Sequence, residues 1–262
     1  MEQSDSTITR IEKLGSDIVR MTVQAPTIAS QAKPGQFVSI RAGVGYDPLL
    51  RRPFSIHQVN ADSTLQILFK VIGKGTSQLA EQAVGASVNL MGPLGNHFTP
   101  GAAMCLVGGG LGIAPLLFLA QTLLRQDPQP AMVIILGARN RDELIALTSG
   151  FQSLDVTLHL TTDDGSIGHH GLVTDLMPGL LSQQDGWQVR SCGPYPMLRA
   201  VAALSRKHGW QCQVSLETMM ACGISACLGC TVEASANHRK GGPYLHVCKD
   251  GPVFDEGEIA WK

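Results

Sequence analysis

The chain has 262 residues, of which 44% are hydrophobic and 16% charged, and its formal net charge is −1 at neutral pH. This length fits about two domains, and the composition is typical of a soluble globular protein. The near-neutral charge argues against nucleic acid or an anionic membrane as the main partner. The polar, acidic start Met1–Ser6 is not a secretory signal, and the apolar stretch 111–124 is too short to span a bilayer. We therefore expect a cytoplasmic protein.

Strand-like runs alternate with glycine-containing turns from Thr7 to about Pro100. The clearest runs are 18–23, 36–41, 65–71 and 87–91, and one helix-like piece covers 77–82. Many short strands at this spacing predict an antiparallel barrel or sandwich. We assign residues 1–100 to this first domain.

Strands and helices alternate in the next part of the chain. The predicted strands are 103–107, 132–136, 156–160, 188–191 and 211–216, and the predicted helices are a stretch ending at Leu124, then 142–149, 172–176 and 195–208. This alternation predicts a parallel sheet with helices on its faces, and we assign it residues 101–215. The remaining segment, 216–262, has too few apolar side chains to form its own core, so a bound metal group would have to fold it.

Four of the seven cysteines cluster near the C-terminus with the spacing Cys-x4-Cys-x2-Cys-x17-Cys, namely Cys222, Cys227, Cys230 and Cys248. This arrangement is typical of a plant-type 2Fe–2S cluster. Gly223 and Gly229 would let backbone amides approach the cluster closely. The alternatives are incidental thiols and a structural zinc site, although zinc ligands usually come as two separated cysteine pairs.

Two motifs in the first domain indicate a flavin. Arg51–Ser55, placed between strands, offers a guanidinium for a phosphate and a ring and hydroxyl for an isoalloxazine. Gly73–Ser77 opens a short helix, where free amides favour a pyrophosphate. Taken singly, they also fit a surface arginine beside proline and an ordinary capped turn. Together they favour flavin binding.

Two motifs in the second domain indicate a nicotinamide cofactor. Val107–Pro115 is rich in glycine, follows a strand and opens a helix, as a dinucleotide phosphate loop does. Pro115 replaces the usual third glycine, which the first turn of a helix tolerates. Cys192–Pro194 ends a strand at the edge where such sheets bind ligands. The thiol there would either sit beside a nicotinamide or be a small buried residue.

These motifs, together with Asp163–Ser166, resemble the ferredoxin–NADP reductase superfamily, in which a flavin barrel is joined to a nicotinamide domain. With Cys222–Cys230 and Val247–Phe254 added, the chain is similar to the electron-transfer subunits of NAD-dependent (type B) dihydroorotate dehydrogenases. The resemblance extends from Thr7 to Phe254.

The resemblance implies three groups of site residues. The FAD candidates are Arg52, Pro53, Phe54, Ser55, Phe69, Lys70, Val71, Gly75 and Thr76. The NAD candidates are Gly108, Gly109, Gly110, Gly112, Cys192, Gly193 and Pro194, with Cys192 the one catalytic candidate. The four clustered cysteines would hold the metal. Phe54 replaces the tyrosine usual in this family, so ring stacking is kept and a phenolic hydrogen bond is lost.

The resemblance also implies a function. A partner subunit would carry FMN and the dihydroorotate site, in a heterotetramer with two of each subunit. Electrons would pass through the 2Fe–2S cluster and FAD to NAD⁺ during pyrimidine biosynthesis. Two alternatives stay open: a subunit of a bifurcating ferredoxin–NADP oxidoreductase or cytosolic hydrogenase, and a redox-sensing module. Arg139 would either bind a 2′-phosphate of NADP or be solvated, so the residues alone do not choose between NAD and NADP.

Overall fold

The N-terminal part of the chain folds into a closed six-stranded antiparallel barrel. The structure is a computed structural model that describes residues 1–43, 45–182, 185–236, 238 and 242–262. The barrel strands are β1 Glu2–Lys13, β2 Ile18–Gln24, β3 Phe37–Ile40, β4 Arg52–Val59, β5 Thr64–Lys70 and β6 Ser87–Leu94, in the order β1-β2-β5-β4-β3-β6. Two short helices, α1 Pro26–Gln31 and α2 Lys74–Ala80, pack against it. Closure leaves no unpaired strand edge.

Inward-facing aliphatic and aromatic side chains fill the barrel, as the alternating pattern of its strands predicts. Met21, Ile40, Ile56 and Ile67 are completely buried there, and Phe54 packs among them.

The middle of the chain forms a sheet of seven strands in the order β10-β9-β8-β7-β11-β12-β15. Its strands are β7 Ala103–Gly109, β8 Ala131–Ala138, β9 Leu158–Thr162, β10 His169–His170, β11 Gln188–Cys192, β12 Gln211–Ser215 and β15 Val253–Asp255. All neighbours are parallel except β12 and β15. The helices are α3 Ala114–Leu124, α4 Arg141–Thr148, α5 Val173–Leu181 and α6 Tyr195–His208. The strand order reverses between β7 and β11, where such sheets bind ligands.

The C-terminal segment has no core of its own. It contains a small hairpin, β13 Thr231–Glu233 and β14 Tyr244–His246, before β15 joins the large sheet. Leu245, Val247 and Phe254 are buried in one cluster with sheet residues such as Val189 and Val214. The predicted fold class, an antiparallel barrel, a parallel-sheet domain and a small cysteine-rich segment, is confirmed.

Some local expectations were wrong. Arg52–Ser55 was predicted to lie between strands, but it begins β4, where Pro53 pairs with Ser39 of β3. Proline reads as a strand breaker in sequence, and closure of the barrel overrides that preference. Helix α2 begins at Lys74, three residues before the predicted start, and α1 and β15 were not predicted. Helix α1 and strand β15 are too short for their apolar residues to show a helical or strand periodicity.

No helix within the described ranges is long and apolar enough to cross a bilayer.

A buried histidine joins the barrel to the parallel sheet. His57 of β4 is 1% exposed, and its Nδ1–H donates to the carbonyl oxygen of Ala114, 2.7 Å away, where α3 begins. Burial lowers the pKa of His57 to about 4, although the hydrogen bond to Ala114 acts in the opposite direction. The neutral imidazole is therefore part of the contact between the two units.

We expect His57 to make stability depend on pH. Because its pKa is lowered on folding, its contribution is complete above pH 6.5 and is lost as the pH falls towards 4, by roughly 3 kcal/mol at most. The free energy of unfolding of His57→Gln should therefore fall less over this range than that of the wild type. The exposed-histidine variant His170→Gln is the control and should keep the wild-type profile. Parallel profiles for wild type and His57→Gln would contradict this account.

Candidate functional sites

Two cavities meet where the carboxyl edge of the parallel sheet faces the barrel. The first is lined by Arg52–Ser55 of β4, by Leu68–Lys70 of β5 and by Ser215–Thr218 at the end of β12. The second is lined by residues that follow β7, β8 and β9, and by Pro194 after β11. Lys70 and Leu111 line both cavities. A ligand in one cavity would therefore lie beside a ligand in the other.

The first cavity brings together most of the FAD candidates. Its lining contains Arg52, Pro53, Phe54, Ser55, Phe69, Lys70 and Thr76, whereas Val71 and Gly75 lie outside it. The rings of Phe54 and Phe69 pack with their centroids 5.2 Å apart, so Phe54 is held in place by the barrel core.

Arg52 and the first turn of α2 form a positively polarised corner of this cavity. A Cβ on Gly75 would lie 2.8 Å from Nε of Arg52, so a larger residue there would displace the guanidinium from its present position. The Thr76 hydroxyl donates to the Gly73 carbonyl and accepts from the amides of Ile72 and Gly73, which closes the preceding loop. Amides in the first turn of a helix have no acceptor within the helix. The corner therefore fits a phosphate group of a dinucleotide.

The second cavity contains part of the predicted nicotinamide motif. Gly109, Gly110 and Pro194 line it. The other NAD candidates, Gly108, Gly112, Cys192 and Gly193, lie outside its lining, where the β7 loop packs tightly against the end of β11. A Cβ on Gly112 would overlap the backbone of Cys192, and one on Gly193 would lie 3.1 Å from the backbone of Gly109. Gly112 and Gly193 therefore permit the close approach that shapes the cavity.

An ion-pair network stands at the boundary of the two cavities. Nζ of Lys70 lies 2.5 Å from Oε1 of Glu143, and Nε of Arg139 lies 2.9 Å from Oε2 of the same carboxylate. Burial of Glu143 acts to raise its pKa, but hydrogen bonds from Arg139 and Lys70 outweigh it and lower the pKa to about 2. Arg139 is thus paired with a carboxylate. With Asp163 also in the lining, the cavity offers a 2′-phosphate little net positive charge.

The thiol of Cys192 is more enclosed than the sequence suggested. The residue is 1% exposed and lies outside the lining of both cavities. Burial and the nearby charge of Glu217 raise its pKa, while a hydrogen bond with Ser215 acts the other way, so the thiol is neutral. Ser215 does line the first cavity. Cys192 is the partner of Ser215 in the pairing of β11 with β12, so the residue adjoins that cavity through Ser215.

Sequence reasoning missed Glu217, which lines the first cavity just after β12. Although the residue is exposed overall, desolvation of its carboxyl group raises its pKa. Its position after a parallel strand was the available signal, since ligands bind at that edge. Phe37, Met220 and Pro252 were also missed. They come from the barrel and the cysteine-rich segment, and only the tertiary fold brings them together.

The loop around the first three cysteines is wrapped so that backbone amides point at sulfur. Sγ of Cys222 accepts from the amides of Ile224, Ala226 and Cys227 at 3.3–3.4 Å. Ser225 and Leu228 adopt positive φ of 64° and 57°, which non-glycine residues rarely do and which marks functional loops. Desolvation acts to raise the pKa of Cys222, but the hydrogen bonds to its sulfur together outweigh it and lower the pKa to about 7, which favours the thiolate.

The four sulfurs form two neighbouring pairs, Cys222 with Cys227 and Cys230 with Cys248. The Ser225 amide of the first loop donates to Sγ of Cys248, 3.1 Å away, and so connects the pairs. Within the described ranges, no three potential ligands converge on a single metal-ion position. Two cysteine pairs whose sulfurs accept hydrogen bonds from backbone amides instead fit a larger, two-iron group.

Three family models match successive parts of the chain. An FAD-binding domain matches residues 4–105, and an oxidoreductase NAD-binding domain matches residues 106–203. The iron–sulfur cluster binding domain of dihydroorotate dehydrogenase B matches residues 217–260. These matches bear out the predicted cofactors.

Relatives and solved structures similar to the chain extend over nearly its whole length. Proteins named as the electron transfer subunit of dihydroorotate dehydrogenase B (NAD(+)) are 37% identical in Desulforamulus reducens, covering 98% of both chains, and 37% identical in Caldanaerobacter subterraneus, covering 94% of both. A solved NADH-dependent reduced ferredoxin-NADP oxidoreductase has a TM-score of 0.85 and 30% identity, covering 98% of this chain and 90% of that one. The ferredoxin reductase of carbazole 1,9a-dioxygenase shares the fold, with a TM-score of 0.67, 21% identity and coverage of 80% and 66%.

The barrel, the sheet and their adjoining cavities define an oxidoreductase that uses FAD, NAD and an iron–sulfur cluster. The full-length relatives make the assignment more specific. The chain belongs to the family of electron transfer subunits of dihydroorotate dehydrogenase B (NAD(+)), which serves pyrimidine biosynthesis. Such a subunit implies a catalytic partner subunit.

Proposed function

We propose that this chain carries electrons from an FMN-containing catalytic subunit, where dihydroorotate is oxidised, to NAD⁺. The partner's cofactor, a heterotetramer with two of each subunit and a cytoplasmic location belong to this proposal. The proposed units are 1–100 for FAD, 101–215 for NAD and 216–262 for a 2Fe–2S cluster held by Cys222, Cys227, Cys230 and Cys248. The observation that carries it is the shared lining of the two cavities by Lys70 and Leu111.

The proposed FAD residues divide the work of holding the cofactor. Arg52, with Gly75 and Thr76 of α2, would bind the diphosphate, and Phe54 with Ser55 would position the ring system. When bound, FAD exchanges a hydride with nicotinamide and single electrons with an iron–sulfur cluster. Phe69 and Lys70 end β5 within the lining of the cavity, and Val71 follows just outside it. The ion pair of Lys70 with Glu143 fixes the barrel against the sheet at this point.

The proposed NAD residues shape the cavity on the other side of Lys70. Gly109, Gly110 and Pro194 would contact the dinucleotide. Gly108, Gly112 and Gly193 act through the close packing of β7 against β11.

The division of labour between subunits is tested with the purified single chain. The holoprotein, prepared without air, should reduce an artificial dye with NADH and should form no orotate from dihydroorotate. Adding the copurified partner should restore orotate formation coupled to NAD⁺. Orotate production by the single chain would contradict the proposal, and so would a preparation that lacks flavin, iron and sulfide.

Removal of one proposed cluster ligand should separate the two halves of the pathway. We expect Cys222→Ser to retain FAD and dye reduction by NADH, because Cys222 lies outside both cavities. Coupling of dihydroorotate to NAD⁺ in the complex should fall by more than about tenfold, since the substitution removes a thiolate that the cluster needs. Cys212→Ala is the control, since Cys212 is buried in the sheet. Normal coupling in Cys222→Ser would place the cluster off the pathway.

For Cys192 we propose a role in positioning the flavin through Ser215. Cys192→Ala should slow flavin reduction by NADH by up to about tenfold, or about 1.4 kcal/mol, because Ser215 loses the side chain of its partner across the two strands. Cys192→Ser keeps a hydrogen-bonding atom and should recover most of the rate. Stopped-flow absorbance of the flavin measures both. Equal rates in all three proteins would make Cys192 a packing residue only.

The similarity to the NADH-dependent reduced ferredoxin-NADP oxidoreductase favours a second candidate, a subunit of such a bifurcating complex. Copurification distinguishes the two: an FMN-containing partner that oxidises dihydroorotate supports the first, and a large iron–sulfur flavoprotein supports the second.

A further inference from the structure

The linker between barrel and sheet lies against the cysteine-rich segment. This linker follows β6 and covers residues 95–102. The backbone amide of Asn96 donates to the carbonyl oxygen of Gly251 at 2.7 Å. Gly251 is three residues after Cys248, one of the proposed cluster ligands. The linker is thus joined directly to the chain that leaves the cluster loop.

The side chain of Asn96 continues this contact. Its Nδ2 group donates to the carbonyl oxygens of Asp250 at 2.8 Å and Val253 at 2.7 Å. Its Oδ1 accepts from the Val253 amide at 2.9 Å. One asparagine therefore makes four hydrogen bonds, counting its backbone amide, to the segment Asp250–Val253. An amide is suited to this role because it offers donors and an acceptor together.

The barrel holds the other side of the same linker. Nε2 of Gln36, just before β3, donates to the carbonyl oxygen of Gly95 at 2.8 Å. The amide of Phe98 donates to the carbonyl oxygen of Pro34 at 2.9 Å. Consecutive residues of the linker thus bind the barrel on one side and the cysteine-rich segment on the other.

The packing at this junction leaves no room for a side chain on Gly95. A Cβ there would overlap Cδ of Pro252 and lie 2.7 Å from the carbonyl oxygen of Gly251, and φ is +74°. The residue must therefore be glycine for the two backbones to approach this closely.

Phe37 of β3 lies between the flavin cavity and the cysteine loop. It lines the cavity, together with Pro252, and pairs across the strands with Ser55. Its Cε2 atom lies 3.9 Å from where a Cβ on Gly223 would be, beside Cys222. The separation between the two redox sites is therefore set by how tightly the cysteine-rich segment is held against β3.

We propose that Asn96 is a positioning residue that holds the cysteine-rich segment against the barrel and so fixes the separation between cluster and flavin. This inference rests on the proposed function. Asn96 makes no hydrogen bond to a cysteine sulfur and lies outside the lining of both cavities. Its loss should therefore leave each cofactor unchanged and alter only the exchange of electrons between them.

The test uses the anaerobic holoprotein and two variants. Asn96→Ala removes all the side-chain contacts, and Asn96→Asp keeps the acceptor but turns an oxygen towards two carbonyl groups. We expect both to keep the flavin spectrum, the EPR spectrum of the reduced cluster and the rate of flavin reduction by NADH. Cluster reduction, followed by freeze-quench EPR after mixing with NADH, should slow several-fold relative to flavin reduction, because the rate of electron transfer falls exponentially with the separation of the two cofactors. Hydrogen exchange at the Val253 amide should increase in Asn96→Ala.

The control is Asn60→Ala, which removes an asparagine that is hydrogen-bonded to Gln58 and Thr64 in a barrel turn away from the cluster. It should match the wild type in every measurement. Unchanged cluster reduction in both Asn96 variants would overturn the inference. Equal slowing of flavin and cluster reduction, or loss of the cluster from both variants, would also overturn it by assigning Asn96 a general role in folding. Absence of cluster reduction in the wild type would instead refute the proposed function.

Discussion

The contact between the barrel and the carboxyl edge of the parallel sheet is the constraint on which the other features depend. A nicotinamide and a flavin exchange a hydride only when they are held close together. The chain meets this requirement with a hydrogen bond from His57 to the start of α3 and with an ion pair between Lys70 and Glu143. Neither cavity would have its present lining without this contact, since Leu111 and Lys70 come from different units.

The cysteine-rich segment shows a different way of building a site. It has almost no core of its own and borrows one from the sheet, to which it also adds β15. Its loop uses backbone amides and two left-handed residues to surround the sulfurs with hydrogen-bond donors. Such donors stabilise thiolates and the negative charge of a bound cluster. Backbone amides therefore stabilise the negative charge at this site, which would otherwise require positively charged side chains.

Much of this architecture could be predicted from the sequence. Period-two strands and then alternating strands and helices indicated the two larger units, and helix Tyr195–His208 was predicted to the residue. The cysteine spacing pointed to the metal group before any fold was known. Each of these signals depends on residues that are near one another in the chain, so it can be recognised from the sequence without knowledge of the fold.

The features that could not be predicted all depend on long-range contacts. Arg52–Ser55 was predicted to lie between strands, yet it pairs with β3. Glu143 looks like a solvated helix charge until Lys70 reaches it from the barrel. Asn96 reads as an ordinary linker residue until Asp250–Val253 folds back upon it. In each case the decisive partner lies far away in sequence, so no spacing rule could reveal it.

The central claim is that one polypeptide holds a flavin and an iron–sulfur cluster in electronic contact. An anaerobic titration of the purified chain with NADH, followed by absorbance and EPR, tests it most directly. The account predicts that the chain accepts more electrons than its flavin alone can hold, with the cluster signal appearing as NADH is added. A cluster that stays oxidised while the flavin becomes fully reduced would contradict it.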